Sequence, residues 1–263
     1  MSTTAETPYV ARKDADGVAT LTLDRGDRFN PLSLAMIAGL EARLDEVAAD
    51  RSVKVVVLAA AGRGFCSGHD LKELRAHAGD EAWQKKLFGD ASRVMVKLTQ
   101  LPQPVVARIH GIATAAGAQL VSMCDLAVAS EEARFALPGV NVGLFCSTPA
   151  VGVARNVGRK RAMELLLTGE LVDARTALAW GLVNRVVPLD ALDAEVKRFT
   201  DLIAARSARV ISAGKRAFYR QLDQSLSDAY EATGREMVSG MLQPDAVEGI
   251  DAFLGKRAPK WPG

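Results

Sequence analysis

An α/β fold with a helical C-terminal part is what this sequence predicts, on three observations. Apolar runs of strand length at residues 53–58 and 105–109 each lead through a small-residue loop into a helical pattern, the order of a β-loop-α unit. The first run, continued to residue 60, is almost wholly apolar, as a strand covered on both faces must be. Beyond about residue 189 the pattern is mostly helical as far as Leu254.

The elements follow in order. Residues 18–23 alternate partially and carry β-favouring side chains, and residues 24–27 end that strand as a turn. Ser33 is placed to N-cap a helix with Leu34, Ile37, Leu40, Leu44 and Val47 on one face. After the strand at 53–60 a short helix starts from Asp70, and a longer one covers about 82–98. Pro102 and Pro104 stop it before the strand at 105–109. A helix then runs to about Cys124, and residues 126–129 and 134–136 read as two short strands. Helices are expected at about 149–157, 160–167 and 173–180, the third starting at Asp173 and stopping at Gly181. One more strand, 183–187, precedes the helical remainder; no internal repeat or flexible linker interrupts the chain.

Composition narrows the function. A chain of 263 residues, 49% hydrophobic and 24% charged, buries a substantial core without a metal or disulfide staple. Its 33 basic and 31 acidic residues give a net charge of +2, so nothing draws it generally to nucleic acid or a membrane surface. The three tryptophans are scattered and form no base-stacking platform. Cys66, Cys124 and Cys146 have no metal-ligand spacing and leave one thiol unpaired in any disulfide scheme; no metal site is expected, and a reducing compartment is. The first eight residues lack the basic and apolar regions of a secretion signal. No apolar run approaches the ~20 residues of a bilayer span, so the expectation is a cytoplasmic protein without membrane insertion.

The most informative feature is the pair of small-residue loops, at residues 62–73 and 110–120. Small side chains let two backbone N–H groups approach one carbonyl oxygen, and a helix N-terminus adds positive potential there. Such an oxyanion hole stabilises a carbonyl as it becomes an enolate or a tetrahedral oxyanion.

In this setting the chain resembles the crotonase superfamily, also called the enoyl-CoA hydratase/isomerase family. The likeness spans nearly the whole chain: Leu23-Asp24-Arg25 with Phe29-Asn30-Pro31-Leu32-Ser33, the two loops, and residues 124–129, 158–169, 177–184 and 253–257. Residues 67–74 and 138–148 resemble most closely the subgroup of hydratase-domain proteins and their bacterial relatives. The resemblance implies a ClpP-like crotonase spiral of β-β-α turns, with residues 1–188 as the core holding an acyl-CoA site and 189–263 as a helical trimerisation region of the same unit. It also implies a homotrimer or hexamer acting on a coenzyme A thioester in fatty acid metabolism, with no cofactor beyond the coenzyme A that the substrate carries.

In that family the thioester oxygen is held by two backbone N–H groups, which fall here on His69 and Ala116. Ala116 stands where glycine is usual, which is free of strain if its φ is negative. Asp70, Leu71 and Lys72 match positions that line the coenzyme A region, Lys72 being the better phosphate contact; Gly117, beside the second donor, joins the substrate-binding set. Asn141 can orient a water or the acyl group, and Cys146 and Ser147 stand where some members carry acidic or substrate-contacting residues.

The departures matter as much. A family hydratase uses two glutamates, and the matching positions here are Gln119 and Gly139. Neither residue transfers a proton at neutral pH, and positioned acid/base catalysis is worth about 10²–10⁴ in rate. Ordinary hydratase activity is therefore doubtful. The His69 ring is the available proton carrier, against a packing role; Asp70 and Glu73 read as parts of a helix start, and His110 as a turn-stabilising group. The expected function is a lyase or isomerase of this family that polarises a CoA thioester. Its alternatives are a non-catalytic acyl-CoA-binding or regulatory protein, a decarboxylation, or a thioesterase.

Overall fold

The structure is a computed structural model that describes residues 8–262. Residues 1–7, read above for a secretion signal, lie outside the described residues. Strands β1 (Val10–Ala15) and β2 (Val18–Leu23) pair antiparallel through a tight turn at Asp16 (φ 52°) and Gly17 (φ 77°). That turn, an Asp-Gly pair with both φ positive, is the hairpin signal the sequence carried. β1 itself escaped notice because Val10 is its only buried residue and most of the rest is polar.

Ser33 caps α1 (Leu34–Ala49) by accepting the Met36 N–H, as its position predicts. β3 (Val55–Ala60) is buried at all six positions and runs parallel to β2. It starts two residues later than expected, because Lys54 donates its N–H to the Gly17 carbonyl instead of continuing the strand. α2 (Leu71–Ala76) and α3 (Glu81–Gln100) follow, then β4 (Val105–Ile109). The short β5 (Ile112–Thr114), hidden within the second loop, leads into α4 (Ala116–Met123), β6 (Leu126–Ser130) and β7 (Arg134–Ala136).

Beyond these come α5 (Ser147–Val157), α6 (Arg159–Thr168), β8 (Val172–Asp173), α7 (Ala174–Trp180) and β9 (Arg185–Val187). α5 begins before Pro149, which the first turn of a helix tolerates. It also begins without a side-chain cap, so neither Ser147 nor Thr148 plays that part. β9 is shorter than expected because Asn184 uses both its N–H and its side-chain oxygen to hold Ala127. The chain closes with α8 (Leu192–Ala204), α9 (Ala208–Gln221), α10 (Leu226–Met241) and α11 (Pro244–Leu254).

A six-stranded sheet, ordered β1-β2-β3-β4-β6-β9, is parallel apart from β1; β5, β7 and β8 form a second, smaller sheet. The large sheet explains why β3 reads as apolar throughout. One face packs on α1, α3 and α4; the other, through Val55, Val57, Val106 and Val128, packs on Leu192 and Val196 of α8. α9 is fastened by Lys215, whose ammonium donates to the Leu98 and Gln103 carbonyls at 2.9 and 3.0 Å and to Asp125 at 2.6 Å. Asp125 also accepts from the Tyr219 hydroxyl and the Val105 N–H. Among the described residues no helix is long and apolar enough to cross a membrane.

Candidate active site

The two loops are laced together before any side chain comes into play. Phe65 and Cys66 donate their N–H groups to the Ile112 carbonyl, and Thr114 returns one to Cys66. The Thr114 hydroxyl adds a bond to the Ser67 carbonyl at 3.1 Å. Asn30, fully buried, braces the first loop from below: its amide nitrogen donates to the carbonyls of Ala61, Gly64 and Phe65, and its oxygen accepts the Arg25 N–H. The sequence showed Asn30 inside a family motif without showing this role.

This lacing brings His69 and Ala116 to one place. Gly68, at φ 93°, passes so close to the second loop that a Cβ on it would stand 2.8 Å from the Ala115 Cβ and 3.3 Å from the Ala116 nitrogen. Only glycine fits. The backbone strain sits one residue before the expected place. Ala115 has φ 50° and ψ −120°, whereas Ala116 begins α4 with ordinary helical geometry.

Both N–H groups are left without a partner. Residue 69 pairs with Leu32 in a short parallel bridge that uses the Gly68 carbonyl, and the first N–H of a helix has no intrahelical acceptor. Among the described residues nothing accepts from either one. Ala116 is also fully buried, so its N–H has no water in place of a protein partner. Orphaned buried donors of this kind are rare and mark a place where a ligand oxygen is accepted.

The two residues line a cavity of about 440 Å³, together with Leu71, Gly139, Asn141, Cys146 and Ser147 from the expected set. Leu74, Phe88, Pro138, Val142, Leu144, Phe145 and Thr148 complete most of its wall; as ordinary apolar positions of separate elements, they gave no signal in the sequence.

Four expected site residues are not part of that wall. Asp70 is occupied as the N-cap of α2, accepting the N–H groups of Lys72 and Glu73. Lys72 is exposed on that helix. Gly117 is a packing residue, since a Cβ there would lie 2.1 Å from the Cys66 carbonyl oxygen. Gln119 is buried one turn into α4, its N–H donating to the Ala115 carbonyl. Glu73 accepts the Leu34 N–H and so ties α2 to α1. His110 donates from Nε2 to the Gly62 carbonyl at 2.9 Å, the turn-stabilising contact expected of it.

The His69 ring is held more tightly than a mobile proton carrier requires. Its Nδ1 donates to the Leu32 carbonyl at 3.3 Å, and its edge meets the Phe88 ring at 5.2 Å between centroids. Nε2 is covered and unpartnered, and burial moves the imidazole pKa below 6.5, leaving the ring neutral. The packing role weighed above thus accounts for its contacts. Cys146 is similarly quiet. Burial raises its thiol pKa, against the opposing effect of the Gly139 N–H that donates to the sulfur at 3.3 Å.

A sequence model of the enoyl-CoA hydratase/isomerase family matches residues 13–263. The rat mitochondrial enoyl-CoA hydratase domain-containing protein 3 is 44% identical over 98% of this chain and 85% of its own length. The human protein is 46% identical over 97% of this chain and 83% of its own. Among solved structures, an enoyl-CoA hydratase of Mycobacterium smegmatis superposes with a TM-score of 0.95 at 51% identity, covering 98% of this chain and all of that one (100%). The human domain-containing protein 3 superposes at 0.93 with 45% identity, covering 96% and 100%. These are the relatives that residues 67–74 and 138–148 pointed to. With its sequence matched almost end to end and its strands and helices in the crotonase arrangement, the chain belongs to the enoyl-CoA hydratase/isomerase family.

Proposed function

We propose that this protein binds an acyl-CoA thioester and polarises its carbonyl between the N–H groups of His69 and Ala116, without the paired carboxylates of an ordinary hydratase. The observation that carries this reading is the meeting of two unpartnered N–H groups at a cavity whose wall contains no Asp or Glu. Two amide donors aimed at one oxygen favour the state in which negative charge has moved onto it. Gln119 and Gly139 hold the positions of the hydratase glutamates, and neither supplies a proton. A second reading, binding without turnover, is favoured by the covered Nε2 of His69, the nearest candidate base. Assembly as a trimer or hexamer is part of the proposal. It is supported by the exposed Leu226, Tyr230, Met237, Leu242 and Phe253 of α10 and α11. A cytoplasmic location is likewise proposed and is checked by cell fractionation.

The test is to mix purified protein with crotonyl-CoA, follow loss of the enoyl-thioester absorbance, and measure binding of the same compound by calorimetry. Binding without appreciable hydration is the expected result. Rapid hydration overturns the objection drawn from Gln119 and Gly139, and absence of binding overturns the thioester site itself.

A further inference from the structure

Apart from its two N–H groups, the cavity presents an apolar wall. Leu71 and Leu74 of α2, Phe88 of α3, and Val142, Leu144 and Phe145 from the segment before α5 converge on it. No Asp, Glu, Lys or Arg lies in the lining. Its titratable side chains, His69 and Cys146, are both pushed by burial toward their uncharged forms. Leu71, Val142, Leu144 and Phe145 are meanwhile exposed, an unpaired apolar rim beside buried donors. At about 440 Å³ the space falls in the range, about 300–1,000 Å³, that encloses a drug-sized ligand, more than a four-carbon acyl group fills.

We infer that this wall receives an uncharged, apolar acyl chain longer than four carbons and rejects one that ends in a carboxylate. The inference rests on the thioester reading above, which aims the acyl group into this cavity. A terminal carboxylate would be buried there with no cation to pair it, a costly transfer. Each methylene buried is worth about fourfold in affinity. Chain length thus raises affinity, and terminal charge cancels the gain.

The experiment titrates the full chain with acetyl-, octanoyl- and succinyl-CoA by calorimetry. Octanoyl-CoA is expected to bind at least about tenfold tighter than acetyl-CoA, and succinyl-CoA no tighter than acetyl-CoA. Equal constants for octanoyl and acetyl, or succinyl matching octanoyl, overturn the inference. If none of the three binds, the thioester reading falls and this one with it, a result distinct from binding without chain preference. In Phe145→Asp, which places a charge on an exposed part of the wall, the octanoyl-to-acetyl ratio is expected to drop toward unity. A ratio taken within one protein is insensitive to loss of folded fraction, so an unchanged ratio overturns the assignment of this wall to the acyl chain.

Discussion

The Cys146 thiol occupies the space that a side chain on residue 139 would need. A Cβ built on Gly139 lies 2.8 Å from the Cys146 sulfur and 2.6 Å from the Leu144 carbonyl oxygen. The Gly139 carbonyl in turn accepts the Leu144 N–H at 2.9 Å, which keeps the turn closed over this position. A glutamate position of the family hydratases is thus filled by a neighbouring group as well as lacking its side chain.

Putting glutamate back at residue 139 alone is therefore expected to destabilise the protein before it restores any chemistry. Overpacking costs about 1–3 kcal/mol, so Gly139→Glu should melt several degrees lower. Adding Cys146→Gly should recover part of the loss, with a coupling of about 0.5–3 kcal/mol, since the Leu144 carbonyl still crowds the site. Thermal melts of the two single variants and the double variant check this, and strict additivity would contradict it.

Ala115 predicts a gain from a substitution that usually costs stability. Its φ of 50° with ψ of −120° is a conformation that glycine adopts freely and alanine resists by about 1–3 kcal/mol. Ala115→Gly should raise the urea midpoint by the equivalent of about 1 kcal/mol. A lower midpoint would show that the alanine methyl, close against Gly68, contributes more than its strain costs.

Asn30→Ala should be among the most damaging single changes. It removes donors to three carbonyls of the first loop and the acceptor for the Arg25 N–H. Alanine also inherits a φ of 51°. Buried groups left unsatisfied cost about 1–3 kcal/mol each, so a loss of at least about 3 kcal/mol is expected in denaturant titrations. Any thioester binding should weaken with it, because the loop that presents the His69 N–H loses its brace.

The histidines set a pH dependence with a definite sign. Burial lowers the pKa of His69 and of His110 below the ordinary 6.5. Between 6.5 and the lower folded values the unfolded chain binds more protons than the native one, so stability rises with pH. The stability present above pH 6.5 should accordingly decline as the pH falls to the folded values, with a slope of up to about 1.4 kcal/mol per unit for each histidine. His69→Asn, which can still donate to the Leu32 carbonyl, should flatten that slope; an unchanged slope would remove His69 as a cause. Denaturant midpoints at several pH values give the answer.

The legible parts of the fold were those where local pattern and tertiary role coincide. β3 could be read because burial on both faces forces an unbroken apolar run, and α1 because Ser33 precedes a single apolar stripe. β1 could not, since an edge strand with one buried residue carries almost no hydrophobic signal. β5 was lost among glycines and alanines that serve the close contact of the loops. At the site, His69 and Ala116 were found through their motifs, and structure supplied their missing acceptors. Phe88 and Phe145 lie far apart in the chain and became neighbours only through the packing of α3 and the segment before α5. Gly117 was misassigned because a glycine needed for backbone proximity and one needed for ligand proximity look alike in sequence.

The fastening of α9 by Lys215 has a bearing on the order in which the molecule is made. Lys215 and Asp125 are 90 positions apart, and the ammonium also needs carbonyls at Leu98 and Gln103. This nest of acceptors exists only after α3, β4 and β6 have come together, so a ribosome must release most of the chain before its last helices have anywhere to dock. Until then those helices, with their exposed apolar side chains, are the part of the nascent protein that a chaperone is expected to hold.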